Sequence, residues 1–291
     1  MSVPSIAALA PETIRTPVIL PVETSEDSLA LEFSRRHSGE WRHVAAWGQW
    51  LRWDGSCWRA ESTLRAYDLA REVCRDAADR CGNPSVAARI ATAATVAAVE
   101  RLAKADRRHA ATTAQWDSQP WLLNTPGGVA NLKTGDVRPH LLEMGDDFTK
   151  ITSASPQSGC PAWMSFLSDV TGGNAELQGY LARIAGYALT GDTGEHSLFF
   201  LHGTGANGKS VFLTTLAAVL GDYATTAPAD TFLETRSERH PTDMAALRGA
   251  RMVVASEIDQ GRRWAEAKLK SLTGGARISA RPTRQDSFEF P

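Results

Sequence analysis

Residues 203–210 read Gly-Thr-Gly-Ala-Asn-Gly-Lys-Ser, the G-x-x-x-x-G-K-S/T spacing of a phosphate-binding loop. Gly203, Gly205 and Gly208 let the backbone curl with its N–H groups turned inward. With Thr204, Ala206 and Asn207 between them, they form a cradle for phosphate oxygens that a following helix N-terminus completes. Lys209 supplies a point charge for the β- and γ-phosphates, and the Ser210 hydroxyl a ligand for a bridging magnesium ion. Such a loop binds a nucleoside triphosphate, but hydrolysis also needs an acid. Downstream, Met252 to Ala255 read as a buried strand, and Glu257 and Asp259 follow its C-terminal end, where open parallel α/β sheets hold ligands. A carboxylate there holds the magnesium shell through water or polarises the attacking water. Glu257 is the better placed for this and Asp259 its partner. Two solvated acids after a core strand are the competing reading.

These residues need particular elements around them. The apolar run Ser197 to Leu201 reads as a buried parallel strand entering the loop, and Val211 to Leu220 as the helix leaving it. A helix from Arg262 to Leu272 turns Trp264, Leu269 and Leu272 inward and stops at Gly274-Gly275. Ala276 to Arg284 then turns as a basic hairpin would. Arg277, Arg281 and Arg284 could grip the phosphates of a nucleic-acid strand there, and a surface hairpin with no partner competes with that reading.

Ahead of the loop, Pro161 opens a helix with Trp163, Phe166, Leu167 and Val170 on one face, stopped by Gly172-Gly173. Asn174 caps a second helix with Leu177, Tyr180, Leu181 and Ile184 on one side. Trp116 to Thr152 alternates short strands with the turns Pro126-Gly127-Gly128 and Thr134-Gly135-Asp136. Ser62 to about Ala110 is helical, with one stripe at Leu64, Leu69 and Val73. After a break at Gly82-Asn83-Pro84, a second stripe runs through Val86, Ile90, Ala93 and Ala97. Trp41, Trp47, Trp50, Trp53 and Trp58 surround the turn Asp54-Gly55-Ser56 and imply a hairpin or small sheet. Their alternation with Arg42, Arg52 and Arg59 could stack on the bases of a single strand. A small aromatic core explains the same pattern more economically.

The division expected is a flexible arm (1–26), a tryptophan-rich and helical domain (27–115), a β-rich bridge (116–160), a helical collar (161–192) and a phosphate-loop core (193–291). The fold class is α/β, an incomplete AAA+-like parallel sheet preceded by a mostly helical domain with a small tryptophan-rich β element. At 291 residues and a net charge of −2, the chain is an ordinary globular one without a uniformly basic coat. Between Arg248 and Arg284, however, nine Lys or Arg face three Asp or Glu, as a local basic face or a mixed solvated surface. Cys57, Cys74, Cys81 and Cys160 contain no C-x-x-C pair, so neither a zinc site nor a disulfide framework is implied. With no signal-peptide pattern and no membrane-length apolar stretch, a cytosolic location is expected.

Taken together, GTGANGKS, LRGARMVVASEID and LKSLTGGARISAR resemble, in order and spacing, the superfamily 3 helicase module of phage and plasmid primase-helicases, the group that includes the poxvirus nucleoside triphosphatase. QWDSQPWLLNTPGGVANLKTG and GYLARIAGYALTGDTGEHSLFFLHG resemble its accessory region. The resemblance implies a ring-forming, usually hexameric ATPase that uses ATP and Mg2+ to move along single-stranded DNA. It makes Lys209 and Ser210 the triphosphate and magnesium residues, Glu257 and Asp259 the strand-end acids, and Lys270 to Arg281 part of a DNA-facing hairpin. Ala276 stands where the family has an acid. The family would also continue past Pro291 into a strand with a polar sensor residue and an arginine for the neighbouring site. A truncated ATP-binding, DNA-binding or assembly fragment with little hydrolysis is therefore the alternative expectation. A small-molecule P-loop kinase fits the tryptophan-rich and helical first half less well.

Overall fold

The computed structural model describes residues 24–141, 145–234, 247–256, 263–275, 278–280 and 288–290. It is a mixed α/β structure of helices and small sheets that divides into two compact units. One unit combines the described part of Met1–Arg36 with Leu64–Asp106, and the other His37–Thr63 with the described part of Arg107–Pro291. The expected arm lies almost wholly outside the described residues.

The first unit is helical. Helix α1 (Glu26–His37) precedes the tryptophan-rich segment. Its signals are Ser25, whose Oγ accepts the Ser28 N–H at 3.1 Å, and the acidic first turn Glu26-Asp27, which complements the helix dipole. Helix α2 (Arg65–Asp79) buries Leu69 and Val73 as expected. Leu64 departs from that stripe: it is 75 % exposed and sits with φ 61° at the N-cap, where the chain has not yet taken helical direction. Asn83 then caps α3 (Pro84–Ile90), accepting the Ser85 and Val86 N–H groups at 3.0 and 3.4 Å. Thr92 caps a separate α4 (Ala93–Ala105). Because the chain restarts its helical phase at Thr92, the buried face of α4 carries Val96, Val99 and Ala103, while Ala93 and Ala97 are exposed.

Glu32 on α1 accepts from Arg35 and Arg36 at 2.7 Å each, and Arg36 continues to Asp76 of α2 at 2.5 Å. The Arg35 hydrogen bond, reinforced by Arg36, holds the Glu32 carboxyl down to about 2 from its ordinary 4.5. A carboxylate with a depressed folded-state pKa stabilises the fold above its unfolded value and loses that contribution as the acid form takes over. The contribution of Glu32 is thus complete above about pH 4.5 and lost as the pH falls through about 2. Acid titration of Glu32→Gln by circular dichroism is expected to show a shallower loss of stability over this interval than the parent chain.

The second unit opens with β1 (Trp41–Val44), β2 (Gln49–Trp53), β3 (Trp58–Ala60) and β4 (Ala110–Ala111), in sheet order β3-β2-β1-β4. Only the β1–β4 pairing is parallel. Asp54 holds the β2–β3 turn by accepting the Ser56 and Cys57 N–H groups at 2.9 and 2.8 Å. Trp41, Trp50, Trp58 and Trp116 are buried, with Trp58 and Trp116 edge-on at 5.7 Å. Trp47 lies under the Arg248 guanidinium at 4.4 Å. The aromatic-core reading therefore holds for Trp41, Trp50 and Trp58, whose buried rings are not open to a base, while Trp47 and Trp53 are half-buried at the edge of this core.

Strands β5 (Leu122–Thr125), β6 (Gly128–Asn131) and β7 (Val137–Arg138) form an antiparallel meander with turns at the expected glycines. Gly128 is required: its φ is 134°, and a Cβ would stand 2.3 Å from the Arg138 carbonyl oxygen. Helices α5 (Pro161–Val170) and α6 (Ala175–Thr190) follow. Asn174 caps α6 as expected, accepting the Leu177 N–H at 3.0 Å, but Leu177 and Tyr180 are exposed rather than packed inward.

The remaining elements are α7 (Lys209–Leu220), β8 (Ala224–Pro228), β9 (Met252–Ser256), α8 (Glu266–Thr273), β10 (Ile278–Ala280) and β11 (Phe288–Phe290). Strands β8 and β9 run parallel, in register from Ala224↔Met252 to Pro228↔Ser256. Among the described residues the wider parallel sheet is not observed. Ser197 to Leu201 forms no strand, and Leu198 and Phe200 are 56 % and 64 % exposed. Among the described residues this run has no ladder neighbour. Its rings rest on side chains instead, Phe199 on Tyr187 at 6.2 Å and Phe200 on Trp264 at 6.3 Å. Among the described residues β9, expected to be buried, pairs with β8 alone, and Val253 is exposed. Trp264, Leu269 and Leu272 pack on Ala227, Phe232 and Leu247, as the α8 face implied.

Arg251, just before β9, ties these parts together. Its guanidinium donates to the carbonyls of Leu122 and Leu189 at 2.6 Å each, Pro120 at 3.0 Å and Gln119 at 3.3 Å, and lies 4.6 Å from the Tyr223 ring centre. Its backbone N–H donates to the Tyr223 carbonyl at 2.7 Å. Arg251→Met keeps the aliphatic stem and deletes the donors, leaving the carbonyls unanswered. The expected cost is about 3 kcal/mol, read as a lower urea midpoint at unchanged slope.

Candidate functional site

The phosphate loop takes its shape from three left-handed residues, Gly203 (φ 144°), Ala206 (φ 58°) and Gly208 (φ 83°). Gly205 has no positive φ, so Ala206 makes the turn expected of it. Helix α7 starts at Lys209, two residues before the expected Val211, with Gly208 as an N-cap that carries no side-chain cap. Its first-turn N–H groups are therefore not claimed by a capping side chain, the condition under which a helix N-terminus receives an anion. Lys209 Nζ donates to the Gly203 and Thr204 carbonyls at 3.2 Å each and to Asn207 Oδ1 at 2.6 Å. Ser210 stands exposed beside it in the first turn.

Residues present here fit a polyphosphate: an uncapped helix N-terminus, a loop with glycines at two of its tight positions, and an ammonium at the loop mouth. Ser210 is the one described residue expected to ligate magnesium. Among the described residues no group of three or more His, Cys, Asp or Glu is placed to hold a metal ion. Strand β9 ends at Ser256, directly before Glu257 in the chain. Glu257, Asp259, Arg277, Arg281 and Arg284 lie outside the described residues, as does Ala276. Strands β10 and β11 pair antiparallel, in register Ile278↔Phe290 and Ala280↔Phe288, so Ile278–Ala280 finds its partner beyond the Ala276–Arg284 span expected to turn, and residues 281–287 lie outside the described residues.

Helix α5 supports the loop. A Cβ on Gly208 would meet Val170 Cγ1 at 2.5 Å and Phe166 Cε2 at 3.2 Å. Trp163 stacks on Phe166 at 5.2 Å and on Phe212 of α7 at 5.6 Å. The apolar face read on α5 thus serves the phosphate loop, a pairing that spacing within α5 alone could not reveal. At the far end of α7, Asp222 accepts from Arg59 at 2.7 Å and from the Ile151 N–H at 3.3 Å. Its carbonyl accepts from Lys150 Nζ at 3.1 Å. Behind the loop, Gly275 at the end of α8 has φ 66°, and a Cβ there would stand 3.3 Å from Thr193 Oγ1.

Asn124, fully buried, joins several of these segments. Its Nδ2 donates to the Ser56 and Lys150 carbonyls at 2.9 and 3.0 Å, its N–H donates to the Tyr223 hydroxyl at 3.3 Å, and His140 Nε2 lies 2.8 Å from its Oδ1. Burial pushes the Tyr223 hydroxyl up from its ordinary range and the Cys57 thiol up to about 12. Both groups are therefore held in their protonated forms at neutral pH.

Gly208→Ala adds a methyl where both the φ and the space exclude one. The expected loss of stability is about 2 kcal/mol, measured by thermal unfolding. Val170→Ala in the same chain restores the part due to space and leaves the part due to φ.

Residues 30–172 match the family model described as D5 N terminal like. Residues 201–291, which begin just before the phosphate loop, match a family of unknown function, DUF5906. No curated protein matches the chain. No helix among the described residues is long and apolar enough to cross a membrane. The D5-like segment, which takes in α2 to α5 and the tryptophan sheet, supports a D5-like replication protein of the phage and plasmid type.

Proposed function

We propose that the chain is the ATP-dependent DNA helicase module of a phage- or plasmid-type primase-helicase, coupling ATP hydrolysis to movement on single-stranded DNA within a homo-oligomeric, hexameric ring. The observation that carries the reading is the phosphate loop at the uncapped start of α7, with Lys209 at its mouth, in a chain whose preceding segment is D5-like. In this reading Lys209 neutralises charge that builds on the phosphates, and the first-turn N–H groups of α7 hold their oxygens. Ser210 and Glu257 hold magnesium, whose bound form supplies charge neutralisation between the phosphates. Glu257, with Asp259 beside it, orients the attacking water. Arg277, Arg281 and Arg284, in and beside the β10–β11 hairpin, contact the phosphates of the DNA strand.

Colorimetric phosphate release with and without single-stranded DNA tests the reading. The parent chain is expected to hydrolyse ATP faster when DNA is present, and Lys209→Ala to lower that rate about a hundredfold or more. A DNA-stimulated rate that survives Lys209→Ala refutes the helicase assignment. ATP binding without turnover would leave a nucleotide-binding DNA-binding or assembly module.

A further inference from the structure

The Lys209 ammonium has three N–H donors. All three have acceptors inside the loop: the Gly203 carbonyl, the Thr204 carbonyl and, closest at 2.6 Å, Asn207 Oδ1. The Asn207 side chain also lies along the loop's inner turn, since a Cβ on Gly203 would stand 2.6 Å from Asn207 Nδ2 and 3.9 Å from Lys209 Nζ. The loop thus closes on its own lysine. A polyphosphate can reach that charge only by replacing an acceptor that already holds it.

Asn207 is the acceptor that can leave. The two carbonyls belong to backbone that the left-handed Gly203 fixes, whereas the Asn207 amide turns about its own side-chain torsions. We propose that Asn207 is a positioning residue that latches Lys209 in the nucleotide-free loop and hands the ammonium over to phosphate by rotating away. This deepens the nucleotide-binding reading above and rests on it. The latch lowers apparent affinity, because the binding-competent loop is only a fraction of the nucleotide-free population. In return it keeps the lysine aimed across the loop when no ligand is present.

Two substitutions at this position separate a latch from general damage to the loop. Asn207→Ala removes the acceptor and leaves Lys209 on the two carbonyls. Asn207→Asp keeps an acceptor and gives it a charge that holds the ammonium harder and repels phosphate. Calorimetric titration of the full chain with ATP and magnesium is expected to show Asn207→Ala binding about two- to tenfold tighter than the parent, the worth of one such hydrogen bond. Asn207→Asp is expected to bind weaker by at least as much. A second readout needs no nucleotide: the NMR signals of the Lys209 ammonium in the free chain should shift in opposite directions in the two variants.

Binding that is unchanged or weaker in Asn207→Ala, while the parent binds normally, overturns the latch alone. So do Lys209 signals that do not respond to either variant. A parent chain that binds no ATP with magnesium at all overturns the nucleotide reading and the latch with it.

Discussion

A half-buried guanidinium without a carboxylate on its hydrogen bonds is the constraint around which the phosphate-loop unit is arranged. Removing such a charge from water is costly unless each donor finds an acceptor in good geometry. Arg251 meets that demand with backbone carbonyls from two distant segments, residues 119–122 and Leu189 at the end of α6. Burial lowers its pKa, and the Asp117 charge opposes that shift. The fork of a guanidinium is rigid and planar, so it fixes where those carbonyls stand relative to one another, and a lysine could not do the same. Gly191 follows from this packing, because its φ is 64° and a Cβ would stand 2.9 Å from Arg251 Cγ.

From that anchor the position of α7 follows. Arg251 passes its backbone N–H to the Tyr223 carbonyl, and the next residue, Met252, pairs with Ala224 as β9 meets β8. The turn from Gly221 to Tyr223 is thereby seated, with Asp222 held by Arg59, Lys150 and Ile151. At the other end of the 12-residue helix, Gly208 lies against Val170 and Phe212 against Trp163. The helix behind the phosphate loop is therefore clamped at both ends by parts of the chain that precede the loop.

What could be read in advance was what local chemistry dictates. Asn83 and Asn174 cap helices because a short amide reaches the first-turn N–H groups, and Gly128 opens a strand because no side chain fits there. The tight turns of the glycine loop at Gly203 and Gly208 were legible for the same reason. The misreadings share one cause, dependence on something distant. Ala97 falls off its stripe because the Thr92 cap restarts the helical phase, Leu64 because it is the left-handed N-cap position of α2, and Ser197 to Leu201 is apolar like a strand but lacks a neighbour among the described residues. Arg251 was visible only as one of nine basic residues near the C-terminal end, since an arginine whose partners are backbone carbonyls leaves no matching acid to find.

The tryptophan sheet bears on where a nucleic-acid strand could lie. Stacking on bases needs an aromatic face open to solvent, and each base so held contributes about 1–3 kcal/mol. The faces around Trp58 are taken by Trp53, Trp116 and Arg42, and that of Trp47 by Arg248. Of the arginines between the tryptophans, Arg59 is committed to Asp54 and Asp222 and Arg42 to backbone carbonyls, whereas Arg52 is exposed. Most of an aromatic and basic segment that pointed in sequence to strand binding is thus taken up by folding and by seating the far end of α7. In the proposed function, contact with the strand is made by the basic residues in and beside the β10–β11 hairpin. That contact would be made through charge on phosphates, so it would weaken with salt and discriminate little between sequences.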